Sequence, residues 1–258
     1  MNSDVESTLR AEMQAESALR FIDTLEIEAL SPPLIQAGSA LTEGASAAVA
    51  GGSVVAFTDR LNGKQKSDVL NSLLLAQLAA NKRHDRERDS EKWYKFYRSV
   101  LEQIGWVTPE FAFTKLSGTS TRFTVDGAVI ALLQAIATQN EIAVARAAID
   151  ALKELQDRDK RVVIFETNSH SAAFGNFQIG TCDVSPQETV VVKIGAFYFS
   201  TTETVTRVLF FNFPRNSTQM SQKGQTMTLN EDVYGQVRDA VIEKLGDNAI
   251  QFIAELEI

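Results

Sequence analysis

The sequence predicts an α+β fold: a helix-rich N-terminal half packed on an antiparallel β-meander, in a single domain. Three observations carry that prediction. Helical spacing and helix caps dominate residues 1–160, and β-branched and aromatic runs separated by short turns fill 161–229. A capped helix then occupies 230–245. No linker rich in Pro, Gly or Ser divides the 258 residues, so residues 1–258 are read as one unit.

At the N-terminus, Ser3 is an N-cap candidate for a helix reaching about Thr24, with Leu9, Met13, Ala18 and Phe21 as an imperfect apolar stripe. Ser31-Pro32-Pro33 breaks the chain. Residues 38–57 (GSALTEGASAAVAGGSVVAF) then place Ala40, Gly44, Ala48, Gly52 and Ala56 at a strict spacing of four. On a helix that spacing makes a smooth stripe that a second backbone approaches closely. A helix packed against the sheet or another helix is therefore expected. Fifteen charge-free residues, 44–58, lie between Glu43 and Asp59, short of the ~20 a membrane span requires. Insertion after a change of conformation is the alternative reading of this segment.

Residues 66–82 are apolar around much of a helical circumference, which predicts a central, covered helix. Ser90 is a cap candidate for a helix carrying Trp93, Tyr97, Val100, Leu101 and Ile104 and ended by Gly105. The densest basic region, Lys82–Arg98, alternates in sign and reads as a solvated helical face or a helix junction. Asp126 and Asn140 are N-cap candidates for two further helices, an expected antiparallel hairpin. From Arg161 onward, RVVIFET, FGNFQIGTCDV, TVVVKIGAFYFS and VTRVLFFNF read as strands of the meander, with EFAF (110–113) added at an edge. TVVVKIGAFYF is apolar on both faces except at Lys193, which predicts a central strand covered on both sides. Asn230 caps the last long helix, with Val233, Val237, Ala240 and Val241 inward and Gly246 as its stop. The tail AIQFIAELEI reads as a strand or a last helix.

Composition narrows function. With 33 acidic against 25 basic residues the net charge is −8, the wrong sign for nucleic acid, whose binders need a basic stripe to displace counterions. The single cysteine, Cys182, excludes an intramolecular disulfide framework. The N-terminus lacks the apolar stretch of a signal peptide, so synthesis in the cytoplasm and release by another route are expected.

Chemistry-bearing motifs are sparse. His84 and His170 have no metal-ligand spacing with Cys182, so no metal site is expected. Gly51-Gly52 lacks the lysine of a phosphate loop and reads as close packing. Cys182 and His170, with Asp183, are a nucleophile and base in principle, yet Asp183 and Glu188 disfavour the thiolate. Two roles remain open for Cys182: a quiet packing thiol, or an acyl carrier. A thioester-linked fatty acid contributes roughly 0.8 kcal/mol per buried methylene. Fifteen phenylalanines against four tyrosines and two tryptophans suggest an apolar interior, and Phe174 and Phe177 are the expected lining of any acyl tunnel.

In size, in its helical first half and β-rich second half, and in the lone cysteine of "IGTCDV", the chain resembles bacterial proteins of the Erwinia virulence factor (Evf) type. The resemblance implies a compact α/β fold, a role in persistence in the insect gut, and a palmitoyl group on a cysteine, for which Cys182 is the candidate lipid-attachment residue. A weaker likeness is to insecticidal cytolysins of the Cyt type, which also wrap helices around a sheet. The expected function is thus a non-enzymatic bacterial virulence or toxin-like protein acting at host (insect) membranes. Its partners would be membrane lipids or a fatty acyl chain, with no cofactor beyond that covalent fatty acid. The alternatives are a non-enzymatic protein-binding or assembly module and a cysteine-dependent acyl hydrolase.

Overall fold

A computed structural model describes residues 3–29, 43–109, 112–118, 120–171 and 173–258. The elements are α1 (Ser3–Thr24), β1 (Ser46–Ala50), β2 (Ser53–Phe57), α2 (Gly63–Arg83), α3 (Ser90–Gln103), β3 (Trp106–Val107), β4 (Thr114–Lys115) and β5 (Arg122–Thr124). They continue with α4 (Val125–Leu133), α5 (Gln139–Glu154), α6 (Lys160–Ser169), β6 (Phe174–Val184), β7 (Val190–Thr201), β8 (Asn212–Pro214) and β9 (Thr218–Leu229). The last are α7 (Glu231–Leu245), α8 (Asp247–Phe252) and β10 (Ile253–Leu256). The predicted α+β class holds, and one continuous core joins helices and sheet.

The main sheet runs β10-β1-β2-β6-β7-β9-β3, with β4 also on the outer edge of β9. Strands β6, β7 and β9 form an antiparallel meander with β7 at its centre; the short turn from β6 to β7 is the predicted one, whereas β9 takes the place expected for VTRVLFFNF. The sheet is mixed, because β2 pairs parallel to β6. Register places Ser46, Phe57, Cys182, Val192 and Met227 side by side across five strands, so their side chains share one face. That face is covered by α2 and α3: Gln77 of α2 bonds Ser53, and Tyr97 of α3 bonds Gln178. The other face carries α4, α5 and α6, marked by the Phe165–Phe177 ring contact and by Glu141 on Lys193. Helix α7 lies over α2, tied by a bidentate Arg238–Asp68 pair at 2.7 and 2.8 Å, and α1 packs on α7.

The small-residue segment corrects the sequence reading. Residues 46–57 are a β-hairpin, not a helix; Ser31-Pro32-Pro33 and Ala40 lie outside the described residues. Val49, Val54, Val55 and Phe57 favour the pleat, and Gly51-Gly52 forms the two-residue loop between the Ala50↔Ser53 partners. Gly51 takes φ +54°, and a Cβ on Gly52 would lie 2.3 Å from the Asn168 carbonyl oxygen. Gln77 secures the turn by accepting from the Gly52 amide and donating to the Ala50 carbonyl. The fourfold spacing is therefore divided by the turn: Ala48 pairs with Val55 on one face, and Ala56 with Ala47 on the other. Every residue of β1 and β2 is buried, which is why small side chains are needed.

Other predicted strands also change. RVVIFET belongs to helix α6, whose N-cap Asp159 accepts from the Arg161 amide. Its β-branched residues bury Val162 and Ile164, so tertiary packing overrides propensity. VTRVLFFNF contributes only β8, which pairs with β5 in a separate two-stranded sheet. Glu110 and Phe111 of EFAF lie outside the described residues, and the edge strand found there is β4. The N-caps of α3, α4 and α5 are Asp89, Thr124 and Thr138 rather than Ser90, Asp126 and Asn140. Helices α1, α2, α3 and α7 lie where predicted, and the tail is both a short helix and a strand.

Lys193, the one charge in central β7, is neutralised by Glu141 at 2.7 Å. The same carboxylate oxygen accepts from the Thr138 amide and closes the capping box of α5. Removing one partner of such a buried pair leaves an uncompensated charge. Glu141→Ala is therefore expected to cost about 3–5 kcal/mol in urea unfolding, and adding Lys193→Met should return a large part of it. Ala48→Leu, overpacking a fully covered strand, is expected to cost about 1–3 kcal/mol by the same measurement. An unchanged midpoint would refute either packing account.

Candidate functional site

The structure places Cys182 near the C-terminal end of β6, fully buried between partners Phe57 and Val192. Burial pushes its thiol well above the ordinary value, Asp183 and Glu141 push the same way, and Lys66 opposes them. Lys66 is itself fully buried: Nζ donates to the Gly44 carbonyl at 2.6 Å and to Ser46 Oγ at 2.9 Å, and sits over the Phe57 ring. Burial lowers its pKa, against the opposing pull of Glu255 and Glu43. Cys182 is thus walled by an aromatic ring and strands. Phe177, an expected tunnel residue, is an odd number of positions away and faces the opposite side of the sheet. Phe174 shares the face of Cys182 but lies eight residues off, about 26 Å along the strand.

His170 is not brought to Cys182. It caps α6 and bridges to Gly175 at the far end of β6, seven residues and about 23 Å from Cys182. Its Nε2 meets Glu166 Oε2 at 2.8 Å, and its Nδ1 lies 2.9 Å from the Ser171 carbonyl oxygen. Burial opposes the charged imidazolium, yet the bonds to Glu166 and Ser171 outweigh it and hold the His170 pKa above its usual value. Glu166 also accepts from the Val208 amide, so the pair fastens the 202–211 connection to α6. Arg207 fastens the same connection to α5, donating to the carbonyls of Leu152 and Leu155.

The open chemistry lies beside α3. Its inner face buries Trp93, Tyr94, Tyr97, Val100 and Leu101 on the sheet. Lys92, Lys95 and Arg98, at i, i+3 and i+6, share the adjacent face. They line a groove of about 460 Å³ together with Glu91, Tyr94, Ala112 and Phe113. The opposite wall exists because the outer edge of the sheet is interrupted. Strand β3 pairs with Thr228–Leu229 and β4 pairs with Ser221–Gln222. Phe113 meets the Tyr94 ring edge-on at 4.9 Å and forms the floor.

Charge in the groove is incompletely neutralised. Lys92 pairs with Asp89 at 3.1 Å and Arg98 with Glu102 at 3.2 Å. Among the described residues, Lys95 has no carboxylate within ion-pair distance. Beneath, a buried polar network holds the floor still. Tyr97 and Ser53 both donate to Gln178 Oε1 at 3.0 Å, and Gln77 donates to Ser53. Burial drives both tyrosine pKa values upward, so Tyr94 and Tyr97 remain neutral donors. A second groove, about 320 Å³, lies between the α2–α3 connection and the end of α6. Its arginine, Arg86, is already engaged with the carbonyls of Thr167 and Asn168.

None of the groove residues was singled out from sequence as a site. The signal was present, since Lys82–Arg98 contains three cations at helical spacing, but Ala112 and Phe113 join them only through the sheet edge. Two outcomes are expected from the other residues. Cys182 should resist alkylation in the folded protein and react fully in denaturant; fast labelling of the native form would show the enclosure to be wrong. His170, raised in the fold, contributes stability that is complete below its unfolded pKa of about 6.5 and is lost as pH rises through the folded value. The urea midpoint should therefore fall over that rise, and His170→Gln should flatten the slope.

No protein-family model and no curated protein sequence matches the chain. Among solved structures, one described as "Structure of the Evf virulence factor" is similar over 92% of this chain and 88% of that chain, at 10% identity and a TM-score of 0.36. That is a weak likeness at the level of the fold alone.

Proposed function

We propose that this chain is a non-enzymatic, virulence-type factor that works at membranes, docking on anionic lipid surfaces through the basic edge beside α3. One observation carries the reading: on a chain of net charge −8, Lys92, Lys95 and Arg98 are gathered on one helix face beside Phe113. Val107, in the neighbouring strand β3, is 64% exposed and adds apolar surface to the same edge. Cations attract an anionic leaflet, and apolar side chains beside them enter its interface. The virulence part of the reading rests on the layout shared with Evf-type proteins. No described helix is long and apolar enough to cross a membrane, and docking requires none.

Acylation of Cys182 is a separate proposal. A chain on that sulfur has to lie inside the core, so it would be attached before the sheet closes or during opening. Intact mass of protein from its native source would show an acyl increment removable by hydroxylamine and missing from Cys182→Ser; a bare mass leaves Cys182 as a packing residue. A partner-binding module would instead give a stable complex in light scattering with no lipid affinity. A hydrolase using Cys182 with His170 as base conflicts with their separation.

The membrane reading is tested by co-sedimentation with phosphatidylglycerol–phosphatidylcholine vesicles against phosphatidylcholine alone. Binding is expected only to the anionic vesicles, weakening as salt rises. Lys95→Gln should reduce partitioning roughly fivefold, since each such charge contributes about 1 kcal/mol near an anionic leaflet. Equal binding to both vesicle types, or to neither, overturns the reading.

A further inference from the structure

We propose that the groove beside α3 takes one single-chain anionic amphiphile, its acid group on Lys95 and Arg98 and its apolar body between Ala112 and Phe113. The inference rests on the membrane-surface reading of the same edge and narrows it from a charged patch to a pocket with one occupant. Electrostatic docking on a bilayer needs only a flat basic surface. Here the basic face is one wall of a cleft of about 460 Å³, inside the ~300–1,000 Å³ that ligand pockets occupy. Its two walls differ in kind. Helix α3 supplies three cations and one carboxylate, Glu91, while the interrupted sheet edge supplies Ala112 and Phe113.

The distribution of charge fixes the orientation. Asp89 and Glu102 pair with the outer cations of the row, and among the described residues the central Lys95 has no carboxylate at ion-pair distance, so it is the position for a ligand's acid group. An acid group there stands beside Arg98, whose guanidinium is anchored to Glu102 and the Pro109 carbonyl. The apolar body then follows the Phe113 ring, held edge-on to the buried Tyr94. An anion without an apolar body, or an apolar body without an acid, satisfies only one wall.

The protein carries its own reporter, because Trp93 stacks on Tyr97 at 5.2 Å and meets the edge of Tyr94 at 4.9 Å. Full-length protein is titrated with octyl phosphate below its micelle concentration, with inorganic phosphate and 1-octanol as the two half-ligands, by tryptophan fluorescence and calorimetry. Octyl phosphate is expected to bind saturably, one per chain, and at least tenfold tighter than either half-ligand. Phe113→Ser should weaken it at least fivefold. Ala112→Trp, which fills the cleft from its exposed rim, should abolish it while the urea midpoint is unchanged. Octyl phosphate binding no tighter than phosphate, or surviving Ala112→Trp in the folded protein, overturns the inference. Vesicle binding without octyl phosphate binding defeats this proposal and leaves the membrane reading standing. Octyl phosphate binding with indifference to vesicle charge supports the pocket and defeats the membrane reading.

Discussion

Coverage of the sheet on both faces is the constraint from which the rest of the structure follows. A strand with helices above and below has no solvent face on which to place a polar or bulky side chain. The β1–β2 hairpin meets the constraint with alanine, valine and glycine, and its tight turn lets the end of α6 press against Gly52. The meander meets it with phenylalanine, and Phe177, Phe197, Phe199 and Phe213 interlock ring against ring. Where polarity enters, helices supply its partners: Glu141 for Lys193, Gln77 for Ser53, Tyr97 for Gln178.

The same constraint explains where an open site is found. Layers that cover both faces leave the edges of the sheet as the places where its chemistry is accessible. At the β9 edge the covering strand divides into β3 and β4, and Phe113 beside β4 meets Tyr94 of α3. A cleft results between a helix that must bury its aromatic face and an edge that cannot follow it. The cations of α3 reach that cleft because they flank the buried aromatic stripe. Their position is a by-product of amphipathicity, whereas their sign, on an acidic chain, is not.

Much of the architecture was legible in the sequence, and the departures share a cause. Helices α1 and α3 declare themselves by apolar spacing, α2 by apolar residues around its circumference and α7 by its Asn230 cap, and β6 and β7 by continuous β-branched and aromatic runs. The 46–57 hairpin did not, because alanine and glycine at every fourth position satisfy a helical stripe and a two-residue turn between covered strands equally well. Helix α6 was hidden by its valines and isoleucine, whose preference for strands yields to Asp159 capping and to the pocket under Phe165. The site was less legible than the fold. Its basic wall lies in one segment, but its aromatic wall comes from residues that only β9 brings within reach. Cys182 drew attention by being alone, and its surroundings are those of a core residue.

The parallel joint between β2 and β6 links positions 125 residues apart, as in Ser53 and Gln178. On one side of it only β6 and β7 are joined by a short turn, and β9 also pairs with the distant β3 and β4. The hairpin on the other side is more local still. Closing the joint gains no contact until a long loop of chain has already been ordered, and such distant pairings are the slow ones in folding. The sheet closes at further distant joints too, β1 with β10 and β3 and β4 with β9. Phe57 and Cys182 are partners across the β2–β6 joint, so the thiol is enclosed by pairing between distant parts of the chain.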